Sequence, residues 1–411
     1  MTDRDISSAA QHESVVKEAT NAPARQLTGP PWLGSIYQRR GIDLEWLTVA
    51  IVLAASALVF FGWRGLVSVM IAGAGALAGH LVVDGAVRLL ARRRSRVPHL
   101  HALNLGLLLG AAMPVMQRWW LPAAVGGAVG LLAHVVGRSH RLRVHPVVLV
   151  LVLIWLAPIV MAPGAEGGGA PGWMLKMWEP IDAVLRPQRL IVGDVRDATA
   201  EASIVAWQSP FPPDAPDAIR RTDTGQLLLS QRFDMLQDRN QLVRRLSTGE
   251  LAQLSEIFVG AHIDAAGASS RALLIFLGFY LMYRRLAFWP VAMTALVGAL
   301  TTMFLMPVWQ AEADRYVSVL SRLIELGPAA SITFVSYVFF ATPMTLMVMV
   351  LAPGATPMSR SGRLVYGLII GAGGIAAMWW TGQPQAAMLA LLAASLLSRP
   401  LDALQRSVFL K

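Results

Sequence analysis

The chain contains no cysteine among its 411 residues. That excludes covalent c-type haem, cysteine-ligated iron–sulfur clusters, disulfides and thiol catalysis within this chain. Charge is also scarce. Only 15% of residues are charged, while 55% are hydrophobic and the mean hydropathy is +0.53. Soluble domains usually carry about 25% charged residues. No dinucleotide-binding loop, phosphate-binding loop, nucleophile elbow or zinc-finger spacing is present. No catalytic or metal-ligand set is therefore expected. The net charge of +10 reads as membrane topology rather than nucleic-acid binding, because the basic clusters sit beside apolar runs.

What the sequence does have is two strongly hydrophobic blocks, about 46–161 and 270–411, flanking a polar insert at 162–269. The expected spans are 46–62, 66–88, 101–117, 119–136, 144–161, 271–285, 288–308, 328–352, 363–380 and 385–401. Several are short for a hydrocarbon core of about 30 Å, so tilted or broken helices are expected. The fold class that follows is an all-α polytopic membrane protein. It has about ten transmembrane helices, arranged as two inverted five-helix repeats around a central extracytoplasmic insert. Residues 1–45 form a polar N-terminal tail without the apolar core of a signal peptide.

The loops set the orientation. RLLARRRSRVPH, GRSHRLRVH, YRR and SRSGR fall on one side of a ten-span chain, and the alternate loops carry little charge. Lys and Arg favour the cytoplasmic side, which places both termini there. The insert then faces outward. It holds 10 Lys/Arg against 14 Asp/Glu, leaving the remainder of the chain strongly positive. Its breaker-rich pieces flank one or two short amphipathic helices expected to lie near the membrane.

Ionisable and hydroxyl groups inside apolar segments are the candidate site residues. His80, Asp84 and Arg88 recur every fourth residue and share one helical face. They read as an ion path, or as a helix end where Arg88 pairs with Asp84. His80 and His134 form the one pair that a b-type haem could use, and haem b is not expected on a single pair. His99, His101, His140 and His145 read as headgroup or loop residues. Asn104 lines a cavity or caps the third span. Thr342 and Pro343 mark a broken helix, while Thr356, Ser359 and Arg363 stand at the cytoplasmic rim, where hydroxyls and a guanidinium suit an anionic ligand such as a flavin phosphate.

Four stretches carry a resemblance: HALNLGLLLGAAMP, LAQLSEIFVGAHIDAAGASSRALLIFLGFYLMYRR, FFATPMTLMVMVLAPGATPMSRSGR and TGQPQAAMLALLAASLLSRPLDAL. In their order the chain resembles the NqrB/RnfD family, membrane subunits of sodium-pumping quinone reductase and Rnf electron-transport complexes. The resemblance implies two related five-helix halves in a bacterial inner membrane, with other membrane and peripheral subunits, lipid and quinone as partners. It implies electron transfer coupled to Na⁺ or H⁺ movement. It further implies FMN linked to a threonine of the central loop, for which Thr222 and Thr224 are the candidates, and non-covalent FMN or riboflavin near the cytoplasmic side. Several family motifs are altered. Pro343 follows Ala341 and Thr342 where the family has an acidic residue. Gly267, Ala268, Ser269 and Ser270 replace a turn with a carboxylate, and Gln385 follows Pro384 where the family has glutamate. The expected role is an electron-transfer complex subunit with degenerate flavin handling. A secondary transporter of inverted-repeat type and a structural anchor binding quinone or lipid are the alternatives.

Overall fold

The computed structural model describes residues 36–91, 98–113, 120–138, 144–161, 258–260, 265–310, 315–340, 342–381 and 386–409. The tail before Ile36 and nearly all of the insert, including Thr222 and Thr224, lie outside them, as do the amphipathic helices expected there. Two compact units divide the chain at Leu44. Of the smaller, only Ile36–Leu44 are described, as the leading turns of the first helix. The larger unit, Glu45–Lys411, holds everything that follows.

Nearly all of the described structure is helical. The helices of the first block are α1 (Ile36–Ala91), α2 (His99–Ala112), α3 (Trp120–Arg138) and α4 (Pro146–Met161). In the second block α5 (Arg271–Tyr283) and α6 (Trp289–Leu305) lead into a hairpin of β1 (Pro307–Gln310) and β2 (Arg315–Ser318). Then come α7 (Val319–Leu326), α8 (Pro328–Phe340), α9 (Met344–Leu346), α10 (Arg360–Thr381) and α11 (Ala387–Phe409). The hairpin and α7 were not expected. They occupy the connection between α6 and α8, where Val308 pairs with Val317 and Trp309 with Tyr316 in antiparallel register.

Two helical stretches, Gly41–Leu90 and Arg360–Trp379, are long and apolar enough to cross a membrane. A third is the bent pair Phe334–Phe340 and Met344–Ala355, if these form one span. α1 is not one straight rod. Gly62 has φ 65° and ψ −158°, a conformation that favours glycine. Past it the backbone turns back, so that a Cβ on Gly65 would stand 2.6 Å from the Ala57 carbonyl oxygen. The break falls between the stretches 46–62 and 66–88 that hydropathy separates.

Small residues bring the helices into backbone contact, as expected where lipid supplies no hydrophobic drive for helix association. A Cβ on Gly126 or Gly130 of α3 would stand 2.1 Å from Ala72 O or 2.0 Å from Ala76 O of α1. On the same two helices Gly75 and Gly79 press on Ala123 and Gly127. The second block repeats the device. Cβ atoms on Gly367 and Gly371 of α10 would stand 2.5 Å from Val291 O and 1.9 Å from Ala295 O of α6.

Gly130→Ala should lower the unfolding temperature, at a cost of about 1–3 kcal/mol from overpacking a closed contact. A Cβ added at Gly85 would meet nothing within 4 Å. Gly85→Ala on the same helix should therefore leave the transition unchanged or raise it slightly. Thermal melting in detergent, followed by circular dichroism, compares the two.

Candidate functional site

The second-block helix breaks at a defined place. α8 ends at Phe340, Thr342 and Pro343 follow, and the chain resumes as α9, a π-helical turn at Met347–Leu351 and a 3₁₀ turn at Ala352–Ala355. The two limbs meet at 60°. Proline lacks an N–H and cannot continue the ladder, so the last carbonyls of α8 need other donors. Thr342 Oγ1 donates to Val338 O at 2.7 Å, and Thr345 Oγ1 donates to Phe339 O at 3.1 Å. The Phe340 carbonyl accepts from Nε of Arg271, a residue 2% exposed.

Arg271 belongs to a buried turn that serves both blocks. Its guanidinium also donates to Ala268 O at 2.6 Å. In the same turn the Ala266 amide donates to Met113 O at 2.7 Å, and the Gly267 amide to Ala111 O at 2.9 Å. Those carbonyls end α2. A single segment, Ala265–Arg271, therefore supplies donors to the C-terminal ends of α2 and α8. Ser270 starts α5 by accepting from the Leu273 amide at 3.3 Å. Arg271 does not stand out in the sequence because it sits at the edge of an apolar run and resembles a flanking anchor. Its burial is the only distinguishing property, and burial is not local to the sequence.

At the rim, Thr356, Ser359 and Arg363 come together in one capping structure. Thr356 Oγ1 donates to Ala352 O at 3.0 Å. Ser359 Oγ accepts from the Gly362 amide at 3.2 Å, the bond of an N-cap serine to the third helical residue. Arg363 Nε donates to Pro357 O at 3.1 Å, and its guanidinium carbon stands 3.4 Å over the Phe288 ring. Asp402 of α11 completes the turn by accepting from the Met358 and Ser359 amides at 3.2 and 2.9 Å. Tyr366 Oη reaches Ala352 O at 3.1 Å. Neither Asp402 nor Tyr366 is a site residue that sequence pattern singles out.

The first-block candidates lie elsewhere. Asn104 is buried in the second turn of α2, whose N-cap is Pro98, so of the two roles expected of it, lining a cavity or capping, it does not cap the helix. Asp84 pairs with Arg88 at 2.6 Å, as the helical spacing suggested. His80 is fully buried, its ring centroid 5.1 Å from that of His99 and 6.3 Å from that of His134. His145 is not a loop residue at the surface. It is 5% exposed and packs on Gly354, where a Cβ would stand 2.1 Å from its Cδ2. At the start of the larger unit, Glu45 accepts from Tyr280 and Arg284. Glu45 also raises the Arg284 pKa, through that hydrogen bond and its charge.

A separate apolar groove of about 470 Å³ lies between α6, α7 and α8, lined by Leu300, Phe304, Leu323, Ile324 and Val335 among others. Ser331 Oγ, on its wall, is turned inward to Gly327 O and Leu323 O. Among the described residues no group of three or more His, Asp or Glu is placed to hold a metal ion.

The family model described as the NQR2, RnfD, RnfE family matches residues 29–409 of this chain. No curated protein matches it.

Replacing Arg271 with Met should destabilise the protein by about 3 kcal/mol, since one buried and one part-buried carbonyl lose their donor. Asp402→Ala should cost about 2–3 kcal/mol by releasing two backbone amides from a carboxylate. Denaturation midpoints of the purified variants measure both.

Proposed function

The chain belongs to the NQR2, RnfD, RnfE family, and from that membership we infer that it assists electron transfer across the membrane and coupled Na⁺ or H⁺ movement. It is a membrane subunit of an Rnf/Nqr-like complex. The family match over residues 29–409 is the observation that carries this reading.

Ten crossings in two related halves are part of the proposal. Backbone-close glycine contact joins the second and fourth apolar stretches of each block, α1 with α3 and α6 with α10. The third stretch of each block stops before a proline, in AAMP at 111–114 and in FATP at 340–343. Both stops accept hydrogen bonds from Ala265–Arg271. Equivalent devices at equivalent positions support a repeat, and an odd number of crossings per block would invert it.

Both termini are proposed to be cytoplasmic, in a bacterial inner membrane. Contacts between distant segments support one common face for the basic loops. Glu45 meets Arg284 of the YRR loop, His145 after the RSHRLR loop packs on Gly354, and Asp402 binds the Met358–Ser359 turn of the SRSGR loop. A single side for these segments is what the positive-inside reading requires.

Flavin handling is proposed to be reduced. The hydroxyls of Thr342 and Thr356 are spent on their own helix, Ser359 on its cap, and Arg363 Nε on Pro357 O. A phosphate ligand would have to compete with those bonds. The apolar groove favours one component of the anchor reading, since it suits an alkyl or isoprenoid tail of lipid or quinone without a polar head.

An absorbance spectrum of the purified native complex, with an intact-mass measurement of this chain, tests the reading. The expected result is co-purification with redox partners and no flavin mass on Thr222 or Thr224. A covalent flavin on either threonine would overturn the degenerate-flavin part. A chain that purifies alone and moves a solute by itself would replace the whole reading with a transporter.

A further inference from the structure

Three imidazoles from three helices meet near the basic-loop ends of α1, α2 and α3. His80 lies inside α1 and is 0% exposed. His99 opens α2 and is exposed. His134 lies in α3, 6% exposed. The backbone contacts described above create this meeting. Gly130 seats α3 directly on α1, its Cβ position 2.9 Å from the His80 amide nitrogen, and one turn further on α3 carries His134. Gly106 seats α2 on Ala72 and Ala76 and brings the start of α2 alongside.

His80 is the unusual member. A neutral imidazole has one N–H donor and one acceptor nitrogen, and buried polar atoms are nearly always hydrogen-bonded. Neither ring nitrogen of His80 has a hydrogen-bond partner among the described residues. The ring contacts point to its use. His99 meets it edge-on at 5.1 Å, and His134 lies beyond at 6.3 Å with a 46° tilt. Neither ring nitrogen of His80 bonds directly to His99 or His134, so each transfer between the imidazoles runs through a bridging water. His101 and Asp84 are the other ionisable groups whose charge reaches His80, and Asp84 is paired with Arg88.

We propose that His99, His80 and His134 form a proton-transfer site that takes protons from water at the exposed His99 and passes them through the buried His80 to the buried His134. His99 accepts a proton from water on one nitrogen and releases one to His80. His80 accepts on one nitrogen and gives up the proton of its other nitrogen to His134. His99 and His80 end neutral, each with its tautomer exchanged, and His134 holds the charge. Imidazole is the side chain suited to this, because it exchanges protons near neutral pH and has two separate nitrogens. The Asp84–Arg88 ion pair lies one turn from His80 on the same helix. The site is a property of this chain alone, and its test does not depend on the electron-transfer reading.

Deuterium exchange at the histidine Cε1 positions, which requires the imidazolium form, reads the site in full-length protein held in lipid nanodiscs. In the parent protein His80 and His134 should exchange with a pH-dependent rate despite their burial. His99→Gln, a surface change, should slow exchange at both by roughly tenfold or more. His80→Gln should slow His134 and leave His99 unchanged, and His134→Gln should leave His99 and His80 at parental rates. Absent exchange at His80, or equal rates at His80 in the parent and the His99→Gln protein, would overturn the proposal. So would a stoichiometric bound metal that is lost in His80→Gln. Should His80→Gln fail to fold, the His99→Gln comparison still decides.

Discussion

Backbone carbonyls left over at a helix end must find donors, and inside a membrane protein water is not there to provide them. α2 and α8 both end in the interior, at Met113 and Phe340. The segment Ala265–Arg271 answers both with two amides and a buried guanidinium. α5 starts where Ser270 and Arg271 are held, and the bend into α9 is tolerable because the carbonyls it frees find other donors. A buried arginine is costly unless its donors are used. Here it resolves a polar deficit that two interrupted helices create together.

Close packing is the second constraint and follows from the first. Broken helices need rigid neighbours to keep their limbs in place. Those neighbours approach at backbone distance through glycine, α3 on α1 and α10 on α6. Such contact surfaces leave little freedom to slide, so they also set where side chains on different helices meet. His134 stands beside His80 because Gly130, one turn earlier, removes the bulk that would hold the helices apart. In the second block, Gly354 gives His145 room beside the 3₁₀ turn in the same way.

Much of the helix layout was legible in the sequence. Each expected apolar stretch holds a helix or part of one, the division at Gly62 lies where hydropathy parts two segments, and Thr342–Pro343 marks a real interruption. The Asp84–Arg88 pair was readable from helical spacing alone. The hairpin at Pro307–Ser318 was not, because short strands in a connection have no apolar run to announce them. Arg271, Asp402, Tyr366 and the burial of His145 were missed for a different reason. Nothing near each residue in the chain distinguishes it from a flanking anchor or a loop residue. The residues that were singled out at the rim, Thr356, Ser359 and Arg363, do lie in one turn, and the turn uses them to cap α10.

Hydropathy and breaker residues act locally, through the transfer energy of each side chain and the dihedral limits of Gly and Pro. The sequence by itself therefore determined where helices run, where they stop and which loops are basic. Partner choice is not local. Glu45 with Arg284, Arg271 with Phe340, Asp402 with Ser359 and His80 with His134 join residues that are 239, 69, 43 and 54 positions apart. Only the tertiary structure decided those meetings, because a side chain meets whichever neighbour the packed backbones place within reach.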